Sequence, residues 1–145
     1  MLDVFQNNQV EKWVADRLPY VDGFGPSTSM AAISKEGKMI AGFVFHEFQP
    51  RAETVQISMA SISPMWASRD NIHGVLSYPF EQLKVFKTWI IIMNTNKKML
   101  KVASHIGFEK EAILAHQFGR KRHAVIMRLL RHNYDKLFGD YHVVR

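Results

Sequence analysis

Within 145 residues the hydrophobic period of this chain switches between about 3.6 residues and two several times, and the order of the switches restricts the fold more than any other feature. Val10, Trp13, Val14 and Leu18 predict an amphipathic helix over residues 8–18, ended by Pro19, and a Gly- and Pro-containing loop follows over 22–28. Period two then takes over. Strands are expected at 30–34, 39–48 and 54–63, the first two joined by a turn at 35–38, so that three strands form a meander.

Helical spacing returns at 69–83 through Ile72, Val75, Leu76, Phe80 and Leu83, with Pro79 removing one hydrogen bond or bending the helix. Residues 87–93 have the profile of a strand buried on both faces, and 96–106 return to helical spacing with Gly107 as cap. Two last strands are expected at 108–118 and 123–130, followed by an irregular tail containing Tyr134 and Phe138. The layout is an α/β fold with a mixed central sheet and helices on both faces, and the length suits one domain over residues 1–145.

With no cysteine, disulfides, thiolate metal sites and a cysteine nucleophile are excluded. The seven histidines form neither an HxH nor an HExxH set, so no metal is expected. The net charge of +6 is uneven: residues 97–145 hold 11 Lys and Arg against 4 Asp and Glu. Such a field attracts polyanions in general, so Arg120, Lys121, Arg122, Arg128 and Arg131 are candidates for contact with nucleic acid or an acidic partner, or simply a solvated surface. No apolar run approaches the ~20 residues of a membrane span, and the N-terminus lacks a signal peptide's pattern, so a cytoplasmic protein with no membrane partner is expected.

The stretch from Asn96 through Gly107-Phe108-Glu109 to Glu111 resembles the fourth-helix signature of the GCN5-related N-acetyltransferase (GNAT) superfamily, in particular its ribosomal-protein and amino-sugar acetyltransferase branch. In that signature an Asn opens the helix, and Gly-Phe with an acidic residue leads into the next strand. The order of elements matches over nearly the whole chain. The resemblance implies acetyl-CoA as cosubstrate and an amine as acceptor, on a protein N-terminus, a lysine or a small molecule. It also suggests a bacterial cell, or host cytoplasm if the chain is phage-encoded.

Asn96 would either cap its helix or turn its amide to the pantetheine arm. The superfamily's diphosphate loop corresponds to Arg69, Asp70, Asn71, Ile72, His73 and Gly74, with Ile72 in place of the first glycine. Such a loop works because backbone N–H groups at a helix start face the diphosphate. Ile72 would crowd that approach and Asp70 adds a like charge. Ser61, Ile62 and Ser63 belong to the strand edge that would pair with pantetheine, splayed from 87–93 by a bulge. Trp66 would shield the cofactor or pack in the core.

Direct attack of a neutral amine on the thioester needs a proton acceptor, an oxyanion donor and a donor for the leaving thiolate. For the acceptor the candidates are Glu53, before the third strand, and His46 and Glu47, ending its neighbour. The superfamily's Tyr donor is replaced by Ala103, so Ser104 or His105 would have to serve. His73 and His116 are further candidates beside the cofactor and the acceptor. The alternative reading keeps the fold without catalysis, as a module that binds an acidic protein or nucleic acid through the basic C-terminal third.

Overall fold

The computed structural model describes residues 2–5 and 8–141. Seven strands form one sheet in the order β1-β2-β3-β4-β5-β7-β6: β1 (Leu2–Phe5), β2 (Ser27–Ile33), β3 (Met39–Gln49), β4 (Thr54–Ser61), β5 (Lys87–Met93), β6 (Glu109–Leu114) and β7 (Ala124–Leu130). Every pairing is antiparallel except β4 with β5, which the intervening helix makes parallel. The helices are α1 (Asn8–Ala15), α2 (Arg69–Ser77), α3 (Lys97–Ile106) and α4 (Arg131–Phe138).

Alternation along the strands divides the interior in two. Phe43, Phe45, Val55, Ile57, Ile90, Ile92, Met127 and Leu129 face the larger core under α2, α3 and α4. Val44 and Ala31 face the smaller one under Val10 and Val14 of α1. Gly42 lies directly beneath α1, where a Cβ would come within 2.7 Å of Val14 Cγ2, so the missing side chain sets how near the helix lies. Because α1 packs on β2, β3 and β4, this face of β5 stays partly open. The strand expected to be buried on both faces is therefore buried on one, at Thr88, Ile90 and Ile92, with Trp89, Ile91 and Met93 half-buried.

Several boundaries differ from expectation. The helix expected over 69–83 ends at Ser77 and passes into a wide π-type turn, Tyr78–Gln82. Pro79 lacks an N–H, and the wider turn accommodates it. The strand expected over 108–118 stops at Leu114, beyond which His116 takes a positive φ of 55°. The tail expected to be irregular contains α4. Its apolar stripe is short, and Arg131 anchors it by donating to the carbonyls of Phe80 and of Val85, the latter at 3.0 Å. β1 has no counterpart among the expected elements.

Candidate active site

β4 and β5 are hydrogen-bonded neighbours at one end and separate at the other. Their register runs Thr54 to Lys87, Val55 to Thr88 and Gln56 to Trp89, and stops there although both strands continue. The closed end is pinned twice. Thr88 Oγ1 donates to the Val55 carbonyl at 3.1 Å, and the Glu53 carbonyl accepts from the N–H groups of Phe86 and Lys87 at 2.8 and 3.1 Å. Meanwhile β4 stays paired with β3 out to Ser61, and β5 with β7 along its whole length. The sheet thus splits between two intact halves, without the register shift in the β3–β4 pairing along residues 57–61 that a bulge there would leave.

The split opens into a slot lined from both faces of the sheet. One cavity of about 250 Å³ is lined by Ile57, Ser58 and Met59 of β4, by residues 90–93 of β5, and by Arg17, Leu18, Pro19 and Tyr20 from the segment after α1. A second, of about 440 Å³, runs along residues 59–64 and Trp66 to Asn96, Lys98 and Val102. The two share Arg17, Leu18, Met59, Asn96 and Met99 and form one passage. Beyond Gln56, alternate N–H and C=O groups of β4 turn toward this slot instead of a neighbouring strand, which is an edge a secondary amide can pair with.

Ser61, Ile62, Ser63 and Asn96 all line the passage. Asn96 serves as cap through its Oδ1, which accepts from Met99 N–H at 3.2 Å, leaving the NH2 end of the same amide as a donor at the slot. Of the two roles expected for Trp66, packing in the core is the one observed. It is buried, edge-on to Phe43 at 5.3 Å, and forms part of the wall.

The side chains of the 69–74 segment point elsewhere. Arg69 donates to the Leu137 carbonyl at 2.9 Å and lies over the rings of Phe138 and Tyr141. His73 packs among Tyr134, Phe138 and Tyr141. Asn71 donates its amide to the Trp66 carbonyl at 2.8 Å, Ile72 packs against the larger core, and the Gly74 carbonyl accepts from Ser77 Oγ. Arg69 and His73 hold α4 against α2, because α4 occupies the flank of α2 on which the two fall at helical spacing. The charged side chains that do line the slot are Arg17 and Lys98.

Glu53 and Ser104 stand outside the passage. Glu53 is exposed at the closed end of the β4–β5 pair, with φ at 57°. Ser104 and His105 are exposed on α3, because Ala103 turns inward and each later residue rotates by about 100°. Glu47 likewise faces solvent, whereas His46, one residue earlier on β3, is 8% exposed and lies behind Ser58, which lines the slot. Its Nε2 lies 2.8 Å from Ser58 Oγ, and its ring packs on Phe24 at 4.9 Å. Burial lowers the His46 pKa, with Glu47 opposing the shift, so the imidazole is neutral near pH 7 and able to accept a proton.

The sequence reading missed the pairing of His46 with Ser58, and it missed Tyr20. The register places Val44 opposite Ser58, so His46 and Ser58 share a face two residues apart along the strands, a relation visible only once the hairpin pairing is known. Tyr20 lines the slot and stacks on Phe118 from the β6–β7 loop with ring centroids 4.0 Å apart. Burial raises its pKa, so the phenol keeps its proton. In that loop His116 Nδ1 accepts from Lys121 N–H and His123 Nδ1 from His116 N–H, which shapes the turn around Phe118.

The basic cluster expected in the C-terminal third is divided. Arg131 is committed to the Phe80 and Val85 carbonyls, and Arg128 lies 3.7 Å from Glu109 and 3.8 Å from Glu111. Arg120, Lys121 and Arg122 occupy the exposed β6–β7 turn. Among the described residues no group of three or more His, Cys, Asp or Glu could hold a metal ion, and no helix is long and apolar enough to cross a membrane.

No protein family model matches the chain, and no curated protein matches it in sequence. Solved structures do match in shape. A point mutant of spermidine N-acetyltransferase SpeG from Vibrio cholerae superposes with a TM-score of 0.75 at 15% identity, covering 92% of this chain and 95% of that one. The same enzyme in complex with manganese ions gives 0.74 at 15% identity, over 94% and 95%. A dodecameric form from the same organism gives 0.74 at 13% identity, over 92% and 95%. The fold is thus that of these N-acetyltransferases, with the expected mixed sheet and helices on both faces.

Proposed function

We propose that this chain, built on the GNAT fold, is an acetyl-CoA-dependent N-acetyltransferase working at the slot between β4 and β5. The observation that carries the proposal is the split itself. A flexible arm bearing two amides can pair with the freed edge of β4 and bring its thioester to Ile57 and Ile90, the first residues beyond the last paired position. The thioester then meets an amine arriving from the opposite face, which α1 leaves open beside β5.

On this reading Ser61, Ile62, Ser63 and the Asn96 amide hold the pantetheine arm, while Lys98 and Arg17 offset phosphate charge. The proton leaving the amine passes to Ser58, on the slot wall, and to His46, whose Nε2 lies 2.8 Å from the Ser58 Oγ, directly or through one water. Tyr20, a neutral phenol on the slot wall, donates to the departing thiolate. Glu53 is assigned no chemical step, nor is Ser104, and backbone groups at the start of α2 take the place of side chains from Arg69 to Gly74 at the diphosphate.

The structural neighbours are spermidine acetyltransferases, and the acceptor of this chain is proposed to differ. A polycation is held by carboxylates, whereas the charged residues lining the passage are Arg17 and Lys98. A monoamine with a neutral or anionic remainder, such as a peptide N-terminus, suits that field.

Thermal unfolding with acetyl-CoA, free CoA and ATP tests the proposal. Acetyl-CoA at 100 times its Kd adds about 2.7 kcal/mol to stability, enough for a clear rise in Tm. Acetyl transfer to a dipeptide should then exceed transfer to spermidine. No shift at saturating acetyl-CoA would remove the transferase reading.

A further inference from the structure

A small cavity in the larger core adjoins the slot at the point where the strands part. It measures about 40 Å³ and is lined wholly by apolar side chains, among them Val75 and Leu76 of α2, Ala103 of α3 and Phe108. It shares Ile57, Ile90, Met59 and Met99 with the slot. Ile57 and Ile90 mark the vertex, where a thioester following the β4 edge must stop. Met59 and Met99 are half-buried and stand between the two spaces. Methionine is unbranched with several rotatable bonds, so these two side chains can swing aside at little cost.

A cavity with walls of this kind stays dry, and about 10–15 Å³ of such volume accommodates one water-sized sphere. The space beside the vertex therefore holds a few carbon atoms that an acetyl group would leave unfilled. We propose that the site takes acyl groups longer than acetyl, propionyl and butyryl in particular, with the tail passing between Met59 and Met99 into this cavity. The proposal rests on the transferase reading and specifies its donor. In the step, the thioester C–S bond breaks and the amide C–N bond forms. The proton lost by the amine goes to the His46–Ser58 pair, the departing thiolate takes a proton from Tyr20 to leave as free CoA thiol, and Tyr20 regains one through solvent as the His46–Ser58 pair releases its own, so no further reactant is needed.

The experiment is titration of the full chain with acetyl-, propionyl- and butyryl-CoA, with free CoA as control, followed by calorimetry. Affinity should rise by about fourfold for each added methylene, the ratio expected when one CH2 leaves water for an apolar site. Filling the cavity by Ala103→Leu should abolish that gain while acetyl-CoA still binds. Val75→Leu serves the same purpose from the other wall should Ala103→Leu fail to fold. If acetyl-CoA binds and the longer thioesters bind no tighter, or if both filled variants keep the gain, the acyl pocket is wrong and the transferase reading stands. If no CoA thioester binds, both fall together.

Discussion

At the scale of single residues, the chemistry of the slot depends on His46. Unlike the exposed Glu47 beside it, it is buried against Phe24, and that burial lowers its pKa and keeps it neutral, against the opposing pull of Glu47. The substitution His46→Gln preserves a hydrogen-bonding side chain at Ser58 and removes the proton acceptor. Acetyl transfer should drop by about 10²-fold or more, while the acetyl-CoA-induced rise in Tm is retained. The same shift has a consequence for stability. Because the folded pKa lies below the unfolded value of about 6.5, the unfolded chain binds more protons between the two. The contribution is complete above the unfolded value and is lost as pH falls through that interval. Acid titration of Tm should therefore be shallower in His46→Gln than in the parent chain, and identical profiles would show that His46 is not held neutral.

At the scale of elements, the position of α1 decides how the acceptor face is shaped. Gly42 allows Val10, Trp13 and Val14 to approach β3, and the following segment then carries Arg17 and Tyr20 to the slot. Gly42→Val places carbon where Val14 already lies. The cost expected is about 1–3 kcal/mol, the range for overpacking a well-filled core, and denaturant unfolding of the variant measures it. The substitution should also weaken acetyl transfer more than acetyl-CoA binding, since it displaces the acceptor side and leaves α2 and α3 in place. Elements were legible where the period was long and uninterrupted, as in β3, β5, β7 and α3. They were not legible where tertiary contacts set the ends. α4 depends on Arg131 reaching carbonyls some fifty residues away, and β6 ends where a positive-φ histidine begins the turn.

At the scale of the whole molecule, the sheet is two paired halves, β1-β2-β3-β4 and β5-β7-β6, joined by three residue pairs at one end of β4 and β5. Long-range ion pairs tie the second half together, with Glu111 of β6 bonded to Lys87 of β5 at 2.8 Å and near Arg128 of β7. A ligand lying along the open end would bridge the halves. Hydrogen exchange should then slow in residues 57–61 and 90–93 when acetyl-CoA is added, with little change in β2 or β7, whose amides already have partners on both sides. Uniform slowing across the sheet would point to general stabilisation and not to occupation of the slot.

The sequence by itself determined the order of elements from α1 to β7, the mixed sheet, the Asn96 cap, the Gly107 exit and the exclusion of cysteine chemistry, because each follows from local periodicity, backbone geometry or composition. The family resemblance also implied Ser61, Ile62 and Ser63, which line the passage. Only the tertiary structure decided which side chains reach the slot. Arg69 and His73 had the right place in the chain and face α4; Glu53 had the right charge and sits at the closed end; His46 gains its partner from a hairpin register. The same holds for the dry cavity beside Met59 and Met99, whose walls come from two helices, three strands and the separate residues Trp66 and Phe108. Period and composition act over a few residues, whereas a site gathers groups tens of residues apart, and their meeting depends on register and on helix rotation.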